Sequence, residues 1–108
     1  MSSNAEIIEA AMLGLAAYSL TEEPAKGSAD ADLIARLEAA IKPMQGGDIV
    51  LVMMAVKLLG GGQYGVSTDN PENARRARSI ATDLGATVDF VEIHEGQTVM
   101  QFTPPLRS

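Results

Sequence analysis

An α+β fold is predicted by three features of the sequence. Apolar residues recur at helical spacing over the first 42 positions, and a well-capped amphipathic helix stands between two β-rich runs after residue 63. The last two β-rich runs meet at Glu95-Gly96, a pair suited to a hairpin turn. The expected sheet is small and mixed, with three or four strands drawn from 63–68, 87–93 and 97–103. Helices at 48–59 and 71–84 are expected to cover it, with further helices at 4–20 and 30–42. The 108 residues make one domain, with a helical N-terminal extension over 1–44 and an α/β core over 45–104.

Each element has a local reason. Ser3-Asn4-Ala5-Glu6 has capping-box spacing, and Ile7, Ile8, Ala11, Met12, Leu15 and Tyr18 follow at helical intervals. Glu22-Glu23-Pro24 through Gly27-Ser28 reads as a loop. Asp30 is placed to cap the second helix, whose stripe is Leu33, Ile34, Leu37, Ala40 and Ile41, and Pro43 stops it. The run Asp48–Leu59 is continuously apolar, which by itself does not separate a buried strand from a helix. Met53, Met54, Ala55, Leu58 and Leu59 favour helix with Asp48 as cap, whereas Ile49, Val50 and Val52 favour strand; helix is the expectation.

Gly60-Gly61-Gly62 ends that run and 63–68 is a short strand. Asn70 then suits an N-cap, Pro71 the first helical position and Glu72 the positive end of the helix dipole. Ala74, Ala77, Ile80, Ala81 and Leu84 line one face, and Gly85 stands at the C′ position. A crossover through this helix would leave strands 63–68 and 87–93 parallel. In the next strand Val88 and Phe90 fall on the opposite parity to Val91 and Ile93, so either both faces are covered or a bulge lies near Phe90. Pro104-Pro105 terminates the sheet.

Composition excludes several activities. The formal charge is −6, with seven acids against three bases in residues 1–46 and seven against five in the rest. Such a chain is a poor nucleic-acid binder, because phosphate contacts need clustered Lys and Arg. The run Ile49–Val56 is far short of the ~20 residues that span a bilayer, no secretory leader is evident, and the expected location is cytoplasmic. The chain has no cysteine, so thiolate chemistry and Cys metal sites are excluded, and with one histidine neither a metal nor a cofactor is expected.

Few residues remain that carry chemistry. His94 lies beside the hairpin turn between Glu92 and Glu95; as an acid–base group it competes with the simpler reading of an exposed turn histidine. Gly60-Gly61-Gly62 leads into a strand with no Gly-Lys-Ser/Thr after it, so it is a helix stop rather than a phosphate loop. Arg75, Arg76 and Arg78 form a basic cluster on the helix opened by Asn70 and Pro71. With the free N–H groups there, they could hold a small anion; the alternative is a solvated face paired to Glu72 or Asp83. Asp69, Asp89 and Glu92 are acids whose spacing does not bring them together. The candidate ligand-binding residues are therefore Asp69, Asn70, Arg75, Arg76, Arg78 and His94, with no catalytic residue assigned.

Taken together, an apolar helix, a Gly turn, a strand, Asp69-Asn70-Pro71, a helix, Gly85 and a hairpin resemble the TusA/SirA-like sulfur-carrier family over residues 45–103. The resemblance implies a two-layer sandwich of two helices on a four-stranded sheet. In that family a Cys-Pro-x-Pro start to the first helix carries a persulfide; here the region reads Met44-Gln45-Gly46-Gly47-Asp48, with no sulfur acceptor. Gly85-Ala86 stands where the family often has Gly-His, and residues 33–43 read as helix rather than as the family's first strand.

The functional expectation is a small acidic interaction module without catalysis: an adaptor, regulator or accessory subunit, degenerate relative to sulfur carriers. It would bind a protein partner or associate with itself through apolar faces of the N-terminal helices. The alternatives are a small-anion or ligand-binding domain using Asn70-Pro71 and Arg75, Arg76 or Arg78, and a small acid–base enzyme using His94.

Overall fold

The computed structural model describes residues 2–18, 20 and 25–105. Its elements are α1 (Asn4–Tyr18), α2 (Ala29–Ile41), α3 (Gly46–Leu59), β1 (Tyr64–Thr68), α4 (Pro71–Asp83), β2 (Thr87–His94) and β3 (Gln97–Thr103). The fold is α+β, with four helices and a three-stranded sheet among the described residues. The chain divides into two compact units, Met1–Val56 and Lys57–Ser108, so α3 as far as Val56 belongs with the helices before it. Residues 21–24 of the expected loop, and position 19 in the expected last turn of the first helix, lie outside the described residues.

In the first unit, α1 opens on the expected capping box. The Ser3 backbone N–H donates to Glu6 Oε1 at 3.0 Å and the Glu6 N–H donates to Ser3 Oγ at 3.2 Å. Its buried residues are Ile7, Ala10 and Ala11, while Met12 and Tyr18, expected in the apolar stripe, are exposed. Further along α1, half-buried Gly14 is where an added Cβ would lie 3.4 Å from Val56 Cγ2 and 4.0 Å from Leu37 Cδ1. The missing side chain at Gly14 lets Leu37 of α2 and Val56 of α3 lie close to α1 there.

The second cap is Ser28, whose hydroxyl accepts the Ala31 N–H at 3.2 Å; Asp30, expected to cap, sits inside the first turn, where its charge suits the dipole. The α2 stripe of Leu33, Ile34, Leu37, Ala40 and Ile41 is only half-buried, and α2 has no fully buried residue.

The run after Gln45 is helical, and it begins two residues earlier than expected. Asp48 is therefore not its cap but the third residue of its first turn. From there its Oδ2 accepts the Gln45 N–H at 3.4 Å, which is the back-reaching half of a capping box. The methionine pair is split, with Met54 fully buried and Met53 exposed. The helix ends in the expected glycines, where Gly61 N–H donates to the Leu58 carbonyl and Gly62 N–H to that of Lys57.

In the second unit the strand order is β1-β3-β2. Both pairings are antiparallel, so the sheet is not mixed as expected. β1 and β2 do run the same way, as a crossover through α4 demands, but β3 returns between them and takes up the ladder that would have joined them directly. A two-residue turn costs little closure entropy, which favours β3 pairing beside β2; its place between β1 and β2 is set by its second pairing, with β1.

The α4 boundaries follow the sequence signals. Asn70 Oδ1 accepts the Glu72 N–H at 2.9 Å, Pro71 is the first helical residue, and Gly85 takes φ +80° past the end. Ala86 N–H then reaches the Ala81 carbonyl at 2.9 Å and Gly85 N–H that of Thr82 at 3.0 Å, a Schellman stop. α4 packs on all three strands and buries Ala74, Ala77, Ile80 and Ala81. On the sheet, Met100 and Phe102 of the central strand are fully buried.

Candidate functional site

β2 is an edge strand, and among the described residues it pairs only with β3. Its register explains its surface. Val88 stands opposite Phe102 and Phe90 opposite Gln101, so Asp89 is an extra residue: of the two readings left open near Phe90, the bulge is the one present. Beyond it the ladder is regular, with Val91 opposite Met100, Glu92 opposite Val99, Ile93 opposite Thr98 and His94 opposite Gln97. Side chains alternate across a sheet, so Val88, Val91 and Ile93 share a face with buried Met100 and Phe102. Phe90, Glu92 and His94 take the other face. The bulge thus resolves the parity conflict: without Asp89 as an extra residue, Val88 would stand on the face opposite to Val91 and Ile93.

Alternation does not bring burial with it here. Phe90 is 43% exposed, Val91 44% and Ile93 80%, although the last two lie on the face that α4 covers elsewhere. Every residue of β2 except Val88 is exposed. The other edge, β1, has only five residues, and Tyr64, Val66 and Thr68 are half-buried.

Charge on this edge has one sign. Asp89 and Glu92 lie on β2 and Glu95 in the turn, while no Lys or Arg occurs from Ser79 to Pro105. Asp89 Oδ2 accepts from the Thr103 hydroxyl, which also accepts from Gln63 Nε2 at 3.4 Å. Ser67 Oγ donates to Gln97 Oε1 at 2.6 Å on the same open face. The turn itself is built from Glu95 at φ 52° and Gly96 at φ 80°, both left-handed, as a two-residue hairpin of matching twist requires.

The residues singled out from sequence fall into two groups. β1 and β2 run the same way, so Asp69 and Asn70, which follow β1, lie at the same end of the sheet as His94. They are separated from it by two strand spacings, about 10 Å. Asp89 stands at the far end of β2 from Asp69, so the acids do not pair. His94 is exposed, and its ring makes no hydrogen bond with a described residue.

At the start of α4 the N–H of Glu72 is taken by Asn70, whose own N–H donates to Thr68 Oγ1 at 3.1 Å. Arg75 forms an ion pair with Glu72 one turn earlier, both side chains exposed. Arg76 is half-buried and engaged with neighbours, and Arg78 is exposed. A carboxylate therefore already sits against the first of these guanidiniums.

A groove of about 360 Å³ in the first unit is lined by Glu6, Glu9, Leu13, Arg36, Ala39 and Ala40, and holds none of the sequence-predicted residues. Among the described residues there is no cluster of metal-ligating side chains, and no helix is long and apolar enough to cross a membrane.

Sequence reasoning missed Phe90, Val91 and Ile93 as surface residues. The signal available was the broken parity around Asp89, which marks a bulged strand, and bulges concentrate at sheet edges. Comparison with protein-family models, curated proteins and solved structures finds no match to this chain.

Proposed function

We propose that this chain is a non-catalytic interaction module of the cytoplasm, an adaptor or accessory subunit that engages its partner through the free edge of β2. One observation carries the reading: an eight-residue edge strand whose large apolar side chains Phe90, Val91 and Ile93 are all exposed. Proteins usually blunt such an edge with charged side chains, Lys above all, with Pro, a bulge or a cover, because unpaired main-chain groups beside apolar side chains recruit other strands; here Glu92 and the bulge at Asp89 are the protection present. β2 has neither Lys nor Pro, and its bulge at Asp89 leaves the stretch from Phe90 to His94 regular. The β-α-β-β order over 64–103, opened at Asp69-Asn70-Pro71 and closed at Gly85, supports a sulfur-carrier-like scaffold without the carrier cysteine. His94 is exposed and no carboxylate among the described residues bonds its ring, an arrangement that lends acid–base catalysis no support.

A photoreactive phenylalanine analogue placed at position 93, or at exposed position 82 on α4, tests the reading in cells. Adducts of defined mass at 93 and none at 82 are expected. Equal labelling at both positions, or none at 93, would rule out β2 as the working surface.

A further inference from the structure

Resting on that reading, we infer that the occupant of the β2 edge is an extended segment of a partner protein with alternating basic and apolar residues, bound as a fourth strand. The length of the seat is set by the structure. Asp89 bulges at one end and the Glu95-Gly96 turn closes the other, leaving five regularly paired residues, Phe90 to His94. Main-chain groups of a strand at that edge can be satisfied by an extended chain, which is how strand addition gains affinity, while alternate side chains set specificity.

The two faces of the edge ask for different partners. On the face shared with α4, Val91 and Ile93 offer exposed apolar surface, so the incoming strand needs Val, Ile or Leu at every second position. On the open face Glu92 stands between Phe90 and His94, with Asp89 and Glu95 flanking, and no Lys or Arg lies on β2 or β3. Lys or Arg at the intervening positions would meet these carboxylates, with the aliphatic stem over Phe90. A second copy would instead bring its own Asp89, Glu92 and Glu95 into the same joined pair of strands, doubling an uncompensated charge within a Debye length. Charge therefore selects a basic partner over self-pairing.

The probes are three blocked hexapeptides added to the full chain labelled with nitrogen-15: Lys-Val repeated three times, Glu-Val repeated three times, and the Lys-Val peptide N-methylated at alternate residues. Amide shifts confined to Phe90–His94 with the Lys-Val peptide are expected, with affinity roughly tenfold above that of the Glu-Val peptide. N-methylation of the bonding edge should abolish the shifts, and Glu92→Lys should narrow the preference for the Lys-Val peptide, because Asp89 and Glu95 remain. Equal binding of both charged peptides, shifts mapping elsewhere, or β2 shifts that depend on protein concentration without peptide would each overturn the inference. If crosslinks at position 93 persist while the Lys-Val peptide fails to bind, the occupant is wrong and the interaction module stands; loss of both removes the edge itself.

Discussion

Asp48 Oδ2 accepts hydrogen bonds from Ser2, 46 residues earlier, through both its backbone N–H at 3.4 Å and its hydroxyl at 3.3 Å. Asp48 is 3% exposed. One side chain thus ties the start of the chain to the start of α3 while also reaching back to Gln45.

Asp48→Ala removes the acceptor for all of these donors. It is expected to lower stability by about 1–3 kcal/mol, with Ser2→Ala costing less, about 0.5–1.5 kcal/mol, because the Ser2 N–H and Gln45 contacts survive. Urea unfolding of both variants measures this, and a double variant no worse than Asp48→Ala alone would show the two residues acting as a unit. An unchanged midpoint for Asp48→Ala would contradict the arrangement.

Glu6 gives the fold a pH dependence of known sign. Hydrogen bonding from Ser3, first its backbone N–H and then its hydroxyl, holds the Glu6 carboxyl below its ordinary value of 4.5. A lowered value in the folded state means the stabilisation is fully present above pH 4.5 and is lost as pH falls through the lowered value. The melting temperature of Glu6→Ala should fall below that of the parent at neutral pH, with the gap closing in acid. A gap that widens in acid would refute the sign.

Burial separates residues that sequence treats alike. Phe102 is fully buried on the central strand, and Phe102→Ala is expected to cost about 3–5 kcal/mol. Met53, adjacent to buried Met54, is exposed, and Met53→Ser should change stability by no more than about 0.5 kcal/mol. Met54→Ala, by contrast, should cost about 2–5 kcal/mol, and equal effects at 53 and 54 would place α3 in the wrong rotation.

The bulge predicts an asymmetry between two deletions. Removing Asp89 leaves Val88 and Phe90 on their present faces, because Asp89 is the extra residue in the ladder. Removing Val91 instead shifts the following residues by one and turns Ile93 to the open face. The Asp89 deletion should retain a dispersed amide spectrum with local changes near Thr103, and the Val91 deletion should lose much of it. Similar damage from both would argue against the register.

Much of the second unit was legible in advance, because its signals act over four residues or fewer. Asn70 reaches the N–H two positions on, Pro71 needs only its own φ, and Gly85 and Glu95-Gly96 supply left-handed backbone where a stop and a turn require it. The capping box at Ser3 and Glu6 is of the same kind. The caps assigned to Asp30 and Asp48 failed for a related reason. Several polar residues stood near each helix start, and either could begin it until Ser28 and Gln45 took the cap position.

What the sequence by itself determined is the set of elements and the hairpin, consequences of backbone preference and two-residue alternation. At Phe90 it left two readings, a strand covered on both faces or a bulge, and the register decided for the bulge. Tertiary structure alone decided that β3 lies between β1 and β2, that α2 stays half-buried, that Met12 and Met53 face outward, and that Asp48 holds Ser2. Those outcomes depend on which surfaces meet across tens of residues. Apolar residues on a helix register that a face must be covered, but not which neighbour covers it. The same limit hid the β2 edge: a strand's composition is compatible with a central or a marginal place in the sheet, and only the pairing order left Phe90, Val91 and Ile93 at its margin.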